Sequence, residues 1–167
     1  MTRLDVVNAD VIAAERWPDA PAEHAYDAAA IAAGERARRI EARESFVTET
    51  VFSHESKVAL LREAEAAGYR VVLHVVLVPE ELAVARVVDR VANGGHSVPE
   101  DKVRTPFARL WGHVAEAIAT VGEAHVYDNT KAAEPYRIVA SYLDGRVVGE
   151  PRWPSWTPGD LRDAGRH

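Results

Sequence analysis

Residues 69–91 read YRVVLHVVLVPEELAVARVVDRV, and the fold class is decided there. Tyr69 to Val78 is almost continuously apolar and rich in β-branched residues, which predicts a strand covered on both faces, as in a parallel sheet. Pro79 then opens a helix over Glu80 to Ala92, and Asn93-Gly94-Gly95 ends it. A strand running straight into a helix is the building unit of an α/β protein.

The flanking segments repeat that alternation. Leu4 to Ala9 predicts a short strand, followed by a helix from Val11 to Trp17. From Asp19, with Pro21 in its first turn, a long run of Ala, Glu and Arg predicts a second helix in which Gly34 is a weak spot. Phe46 to Phe52 (FVTETVF) reads as a strand, Ser56 to Ala67 as a helix stopped by Gly68. Pro99 to Val121 is helical in pattern, but Pro106 removes a backbone donor, so two pieces are expected. Ala124 to Tyr127 predicts another short strand ending in Asp128-Asn129, and Arg137 to Val148 a hairpin turning at Asp144-Gly145. No repeat or linker interrupts the pattern, so residues 1–167 are expected to form a single domain, with 150–167 an irregular tail.

Composition excludes several functions. The chain has 167 residues, 47% hydrophobic and 28% charged, ordinary values for one globular domain. The net charge of -6 is spread over interspersed Asp, Glu and Arg, so no cationic face for nucleic acid is expected. With no cysteine there can be no disulfide, Cys-ligated zinc or thiol catalysis. The opening MTRLDVVNADV has no basic start before an apolar run, and no stretch reaches membrane-spanning length, so a cytoplasmic protein without a membrane partner is expected.

Ligands of open parallel sheets bind beyond the carboxyl ends of the strands. The polar residues there are Asn8 and Asp10, Glu49 and Thr50, and Asp128 with Asn129. Asp10 reads equally as a helix N-cap or as a site carboxylate. Glu49, between Val47 and Val51, is costly inside an apolar strand unless paired or solvated, which favours a site role. His74 reads as a satisfied core histidine. Arg86 and Arg90, four apart on one helix face, could aim two guanidinium groups at one phosphate chain; alone, the spacing fits a solvated face better. Residues 93–99 (NGGHSVP) read as a mobile flap or turn.

In one chain, VNADVIAAERW, SFVTETVFSH, the 69–91 stretch, NGGHSVPEDK and VYDNT resemble the zeta-toxin-like kinases, over roughly Val7 to Arg152. The resemblance implies a P-loop-kinase-like parallel sheet with helices on both faces, and transfer of the ATP γ-phosphate, with Mg²⁺, to a nucleotide sugar such as UDP-N-acetylglucosamine. It implies Asp10 as the carboxylate that activates the acceptor hydroxyl, and Glu49 with Thr50 as acceptor-binding residues. Arg86 and Arg90 match lid arginines that neutralise the transferred phosphoryl group, and Asp128 with Asn129 match a late strand-end motif. An antitoxin-like protein is an implied partner.

Two departures stand against these matches. Relatives carry a strand that occupies the middle of the sheet, then a G-x-x-x-x-G-K-[ST] loop and a helix, ahead of the N-A-D strand. Here MTRLDVV runs directly into Asn8-Ala9-Asp10, and the lysines, Lys57, Lys102 and Lys131, follow Ser56, Asp101 and Thr130. The amide cradle, the phosphate-reaching lysine and the Mg²⁺-holding hydroxyl of such a loop are therefore not among these residues. At Thr105-Pro106-Phe107, where relatives tend to have an Arg followed by an aromatic residue, Pro106 supplies no charge. The expected function is a zeta-toxin-like phosphotransferase that lacks its ATP-binding loop and is inactive or degenerate. The alternative is a non-catalytic module binding a nucleotide sugar or an antitoxin-like partner.

Overall fold

The computed structural model describes residues 4–92 and 101–166. The chain falls into two compact units, Met1–Val51 and Phe52–His167. Both are α/β, as the alternation of signals predicts.

The first unit contains β1 (Asp5–Val7), α1 (Ala9–Arg16), α2 (Ala25–Ala42) and β2 (Phe46–Thr48). β1 and β2 pair in parallel, with Val7 opposite Thr48. The interior is thin, made of Val7, Ala13, Ala28, Ala32 and Ile40. Helix α2 begins six residues later than Asp19 suggests, because 21–24 form turns and leave Pro21 outside the helix. Gly34 does not interrupt it.

The second unit contains α3 (Ser56–Ala66), β3 (Val72–Leu77), α4 (Glu80–Ala92), α5 (Asp101–Thr120), β4 (Glu123–Asp128), β5 (Arg137–Leu143), β6 (Arg146–Val147) and α6 (Gly159–Asp163). Its sheet has the order β3-β4-β5-β6; β3 and β4 are parallel, and the other two pairings are antiparallel. The expected hairpin is present, and Asp144 and Gly145, both at positive φ, form its two-residue turn. A side chain at Gly145 would meet the Ala119 backbone at 3.2 Å, so glycine is required twice over. Leu73, Val75, Leu77, Trp111, Val114, Ile118, Val126, Tyr142 and Leu161 build one continuous core.

Three expectations are corrected. Among the described residues the strands form two sheets, one parallel and one mixed, in place of one mostly parallel sheet. Strand β3 is not covered on both faces: Leu73, Val75 and Leu77 are buried, whereas Val72 is 39% and Val76 48% exposed. Helix packing reaches only the alternate side chains, so a run that is apolar in sequence is amphipathic in place. Third, α5 is not split at Pro106. The proline is the sixth residue of α5 and forgoes one intrahelical amide bond, and burial of Trp111, Val114, Ala117 and Ile118 carries the helix through. Within residues 150–166, α6 seats Leu161 in the core and Trp153 and Trp156 pack against it. The expected flap at 93–99 lies outside the described residues.

Candidate functional site

In the first unit the parallel pairing brings two strand ends together, and each strand passes directly into a polar residue. Asn8 Nδ2 donates to Glu49 Oε2 at 3.0 Å. Asn8 Oδ1 also accepts from the backbone amides of Asp10, at 2.7 Å, and Val11, at 3.4 Å. The N-cap of α1 is therefore Asn8, which overturns the capping reading of Asp10. Asp10 lies in the first helical turn, exposed, where the helix dipole favours a carboxylate. Its carboxylate makes no hydrogen bond or ion pair with any described residue.

Glu49 is not inside a strand. β2 stops at Thr48 and Glu49 is exposed just beyond it, so the desolvation cost that singles it out in the sequence does not arise. Thr50, half-buried, follows it. Behind this pair, Thr48 Oγ1 donates to the Val7 carbonyl at 2.8 Å and accepts from Arg36 Nη1 at 3.4 Å.

In the second unit the strand-end residues are occupied. Asp128 is 6% exposed and accepts from Arg137 Nη2 at 2.8 Å and from the Thr130 amide at 2.9 Å. Burial alone would push its carboxyl up; hydrogen bonds from Thr130 and Arg137 outweigh it and hold the group below the usual aspartate range. The Asn129 amide donates to the Leu77 carbonyl at 3.0 Å, prolonging the β3–β4 ladder. Its own carbonyl accepts from Arg86 Nη2 at 2.8 Å. Arg86 thus meets Asn129, and Asn8 links the Glu49 carboxylate to the backbone amide of Asp10, each group within its own unit. The side chain of Arg90 lies outside the described residues.

Sequence reading missed a polar chain on the exposed face of the second sheet. His74 Nδ1 and Tyr127 OH are 2.9 Å apart, His125 Nδ1 and Ser141 Oγ 3.0 Å, and His125 Nε2 and Glu123 Oε1 2.9 Å. His74 is exposed, not a core residue; it shares its side of the sheet with Val72 and Val76, opposite His125 in register. Hydrogen bonds from His125 and Arg70 hold the Glu123 carboxyl below its ordinary value. The period-two placement of His74, His125 and Tyr127 in their strands could have revealed this face.

The start of α1 does not fit a phosphate of ATP. The amides at the start of α1, which could face a phosphate, are occupied by the side chain of Asn8. Among the described residues no group of three or more His, Asp or Glu side chains could hold a metal ion. No helix of the described residues is long and apolar enough to cross a membrane.

Residues 9–142 match the family model described as Zeta toxin. That match covers more than half of the chain, and the chain belongs to the zeta toxin family. No curated protein and no solved structure matches it. The family is kinase-like, and its general cofactors are ATP and Mg²⁺.

Proposed function

We propose that these residues carry the acceptor half of a zeta-toxin-type phosphotransferase and that, taken by themselves, they bind a nucleotide sugar such as UDP-N-acetylglucosamine without phosphorylating it. The observation that carries this reading is the pair of parallel strand ends at Asn8 and Glu49, with the Asp10 carboxylate, which has no partner among the described residues, in the first turn of the helix that Asn8 caps. Exposed carboxylates are acceptors that suit sugar hydroxyls. In the acceptor role Asp10 would take the proton of the attacked hydroxyl and Glu49 with Thr50 would hold the sugar. Arg86 and Arg90 would face the phosphoryl charge. Asp128 and Asn129 brace the strand end.

Phosphoryl transfer depends almost wholly on positioning and charge stabilisation, and a G-x-x-x-x-G-K-[ST] loop is not among these residues, so by themselves they should turn over ATP at background rate. Calorimetric titration of the full chain with UDP-N-acetylglucosamine and with ATP tests the reading: the sugar nucleotide binds and ATP does not. ATP turnover that disappears in Asp10→Ala would refute it and restore an active kinase. A second reading, docking of an antitoxin-like protein, is favoured by the exposed apolar residues Val72 and Val76 on β3. Binding of neither small ligand would turn to it.

A further inference from the structure

Arg36 is the one charged residue among the buried positions of α2, and it is 8% exposed. Positions 28, 32, 36 and 40 form an i, i+4 stripe in which the other three are Ala28, Ala32 and Ile40. A guanidinium on such a stripe is expected to meet a carboxylate, because an unneutralised buried charge is strongly unfavourable. Arg36 does not. Among the described residues its polar contact is the long bond from Nη1 to Thr48 Oγ1 at 3.4 Å, and it forms no ion pair. The neighbouring carboxylates are committed elsewhere: Glu35 bridges Arg38 and Arg39, and Glu49 accepts from Asn8.

A guanidinium carries five N–H donors in a planar fork. One is used here, weakly. Yet none of its nitrogens is among the sealed, unpartnered side-chain atoms of the described residues, so Nε and Nη2, which have no partner there, are not sealed off from solvent. The residue is enclosed while its donors stay open. The contact with Thr48 fixes where it stands, since Thr48 bonds to Val7, and the next residues, Asn8 and Glu49, form the strand-end pair. Burial lowers the pKa of Arg36 from the ordinary arginine value, but an arginine remains a cation at neutral pH.

We infer that Arg36 is an oxyanion receptor at the β1–β2 strand ends, taking a phosphate or carboxylate group of the ligand whose hydroxyls meet Glu49 and Asp10. Fork-to-oxyanion pairing would give the open donors two parallel hydrogen bonds in a shielded place, where charge-assisted bonds are strongest. The ligand is thereby narrowed to a molecule with an oxyanion one residue's reach from its sugar hydroxyls, a class to which sugar diphosphates belong. The inference rests on the acceptor-site reading for its ligand, but not for the anion site itself.

The test uses the full chain, Arg36→Gln and Arg36→Lys, with Arg62→Gln as a charge-matched control whose side chain is exposed and paired with Glu116. Pyrophosphate and malonate are titrated separately by calorimetry, followed by UDP-N-acetylglucosamine. Wild type and Arg62→Gln should bind at least one of the two small anions saturably. Arg36→Gln should weaken that binding tenfold or more, and Arg36→Lys should recover part of it. Pyrophosphate preference points to a phosphorylated ligand, malonate preference to a carboxylated one; either supports the site. Should Arg36→Gln fail to fold, the Lys variant and a saturable, anion-specific rise in wild-type Tm carry the test. Absence of binding by both anions to wild type, or equal loss in Arg62→Gln, overturns the anion site. If UDP-N-acetylglucosamine binds wild type and Arg36→Gln alike, the receptor role falls while the acceptor reading stands. Anion binding through Arg36 without sugar-nucleotide binding leaves the receptor standing and removes the proposed substrate.

Discussion

The two units each end a parallel strand pair in polar residues, and the two ends are built differently. At the β3–β4 end, Asp128 is buried and accepts through both oxygens, from Arg137 and from Thr130; Asn129 is held through both backbone groups. At the β1–β2 end, Asp10 makes no side-chain bond within the described residues, Glu49 accepts one, and Arg36 uses one of five donors. A saturated strand end is a brace, and an unsaturated one has capacity left for a ligand. Strand-end polarity alone does not separate the two; counting partners does.

The contrast extends to the interiors, which sets the size of the expected effects. The second unit is packed by large side chains around Leu161, fully buried on a short helix near the C-terminus. Leu161→Ala should cost about 2–5 kcal/mol in chemical denaturation, the usual range for such a cavity. A loss below about 1 kcal/mol would mean that α6 is an appendage, and the contrast between a thick and a thin interior would weaken.

Next in size is Asp128→Ala, which leaves Arg137 and the Thr130 amide without their acceptor. It should destabilise by about 1–3 kcal/mol and leave ligand binding at the other strand end untouched. The same bonds predict a pH dependence. Because the folded pKa lies below the unfolded value of about 4, the stabilisation is complete above that pH and is lost as pH falls through the folded pKa. Denaturation midpoints of wild type and Asp128→Asn should therefore differ at pH 7 and converge in acid. Midpoints that stay apart in acid would remove Asp128 as the titrating brace.

Smaller still is Asn8→Ala. It deletes a helix cap and the bond to Glu49, for about 1 kcal/mol of stability, within the measured range for capping residues. No change in stability would mean that another group takes over the cap.

Sequence pattern gave the alternation, the full span of α4 and the Asp144-Gly145 turn, because period, proline and glycine act locally. It did not reveal that β3 is covered on one face only, since an apolar run reads alike whether one or two layers pack on it. Asn8 was visible as a strand-end polar residue, but its choice of two amides over a ligand depends on where α1 starts. Arg36 was legible in principle, as the charged member of the 28-32-36-40 stripe; a run of Ala, Glu and Arg that is polar almost everywhere hid it. Glu49 drew attention for a reason that fails, burial in a strand, and keeps it for another, its place beside Asn8.

Glu49→Ala is the smallest expected change in stability and the sharpest test of the comparison. The carboxylate is exposed and accepts a single bond, from a side chain that can turn to water, so stability should stay within about 0.5 kcal/mol of wild type. Binding is another matter. If the β1–β2 end takes a sugar nucleotide, removing an acceptor from its hydroxyls should weaken binding by about 1–3 kcal/mol, a fall of roughly five- to 150-fold in affinity. Asp128→Ala should show the reverse, a loss of stability without a loss of affinity. The two substitutions measured together, by denaturation and by calorimetry, form a cross: one site moves each observable. If Glu49→Ala unfolds the protein and leaves affinity unchanged, the β1–β2 end is a brace as well, and the partner count that separates the two strand ends loses its meaning.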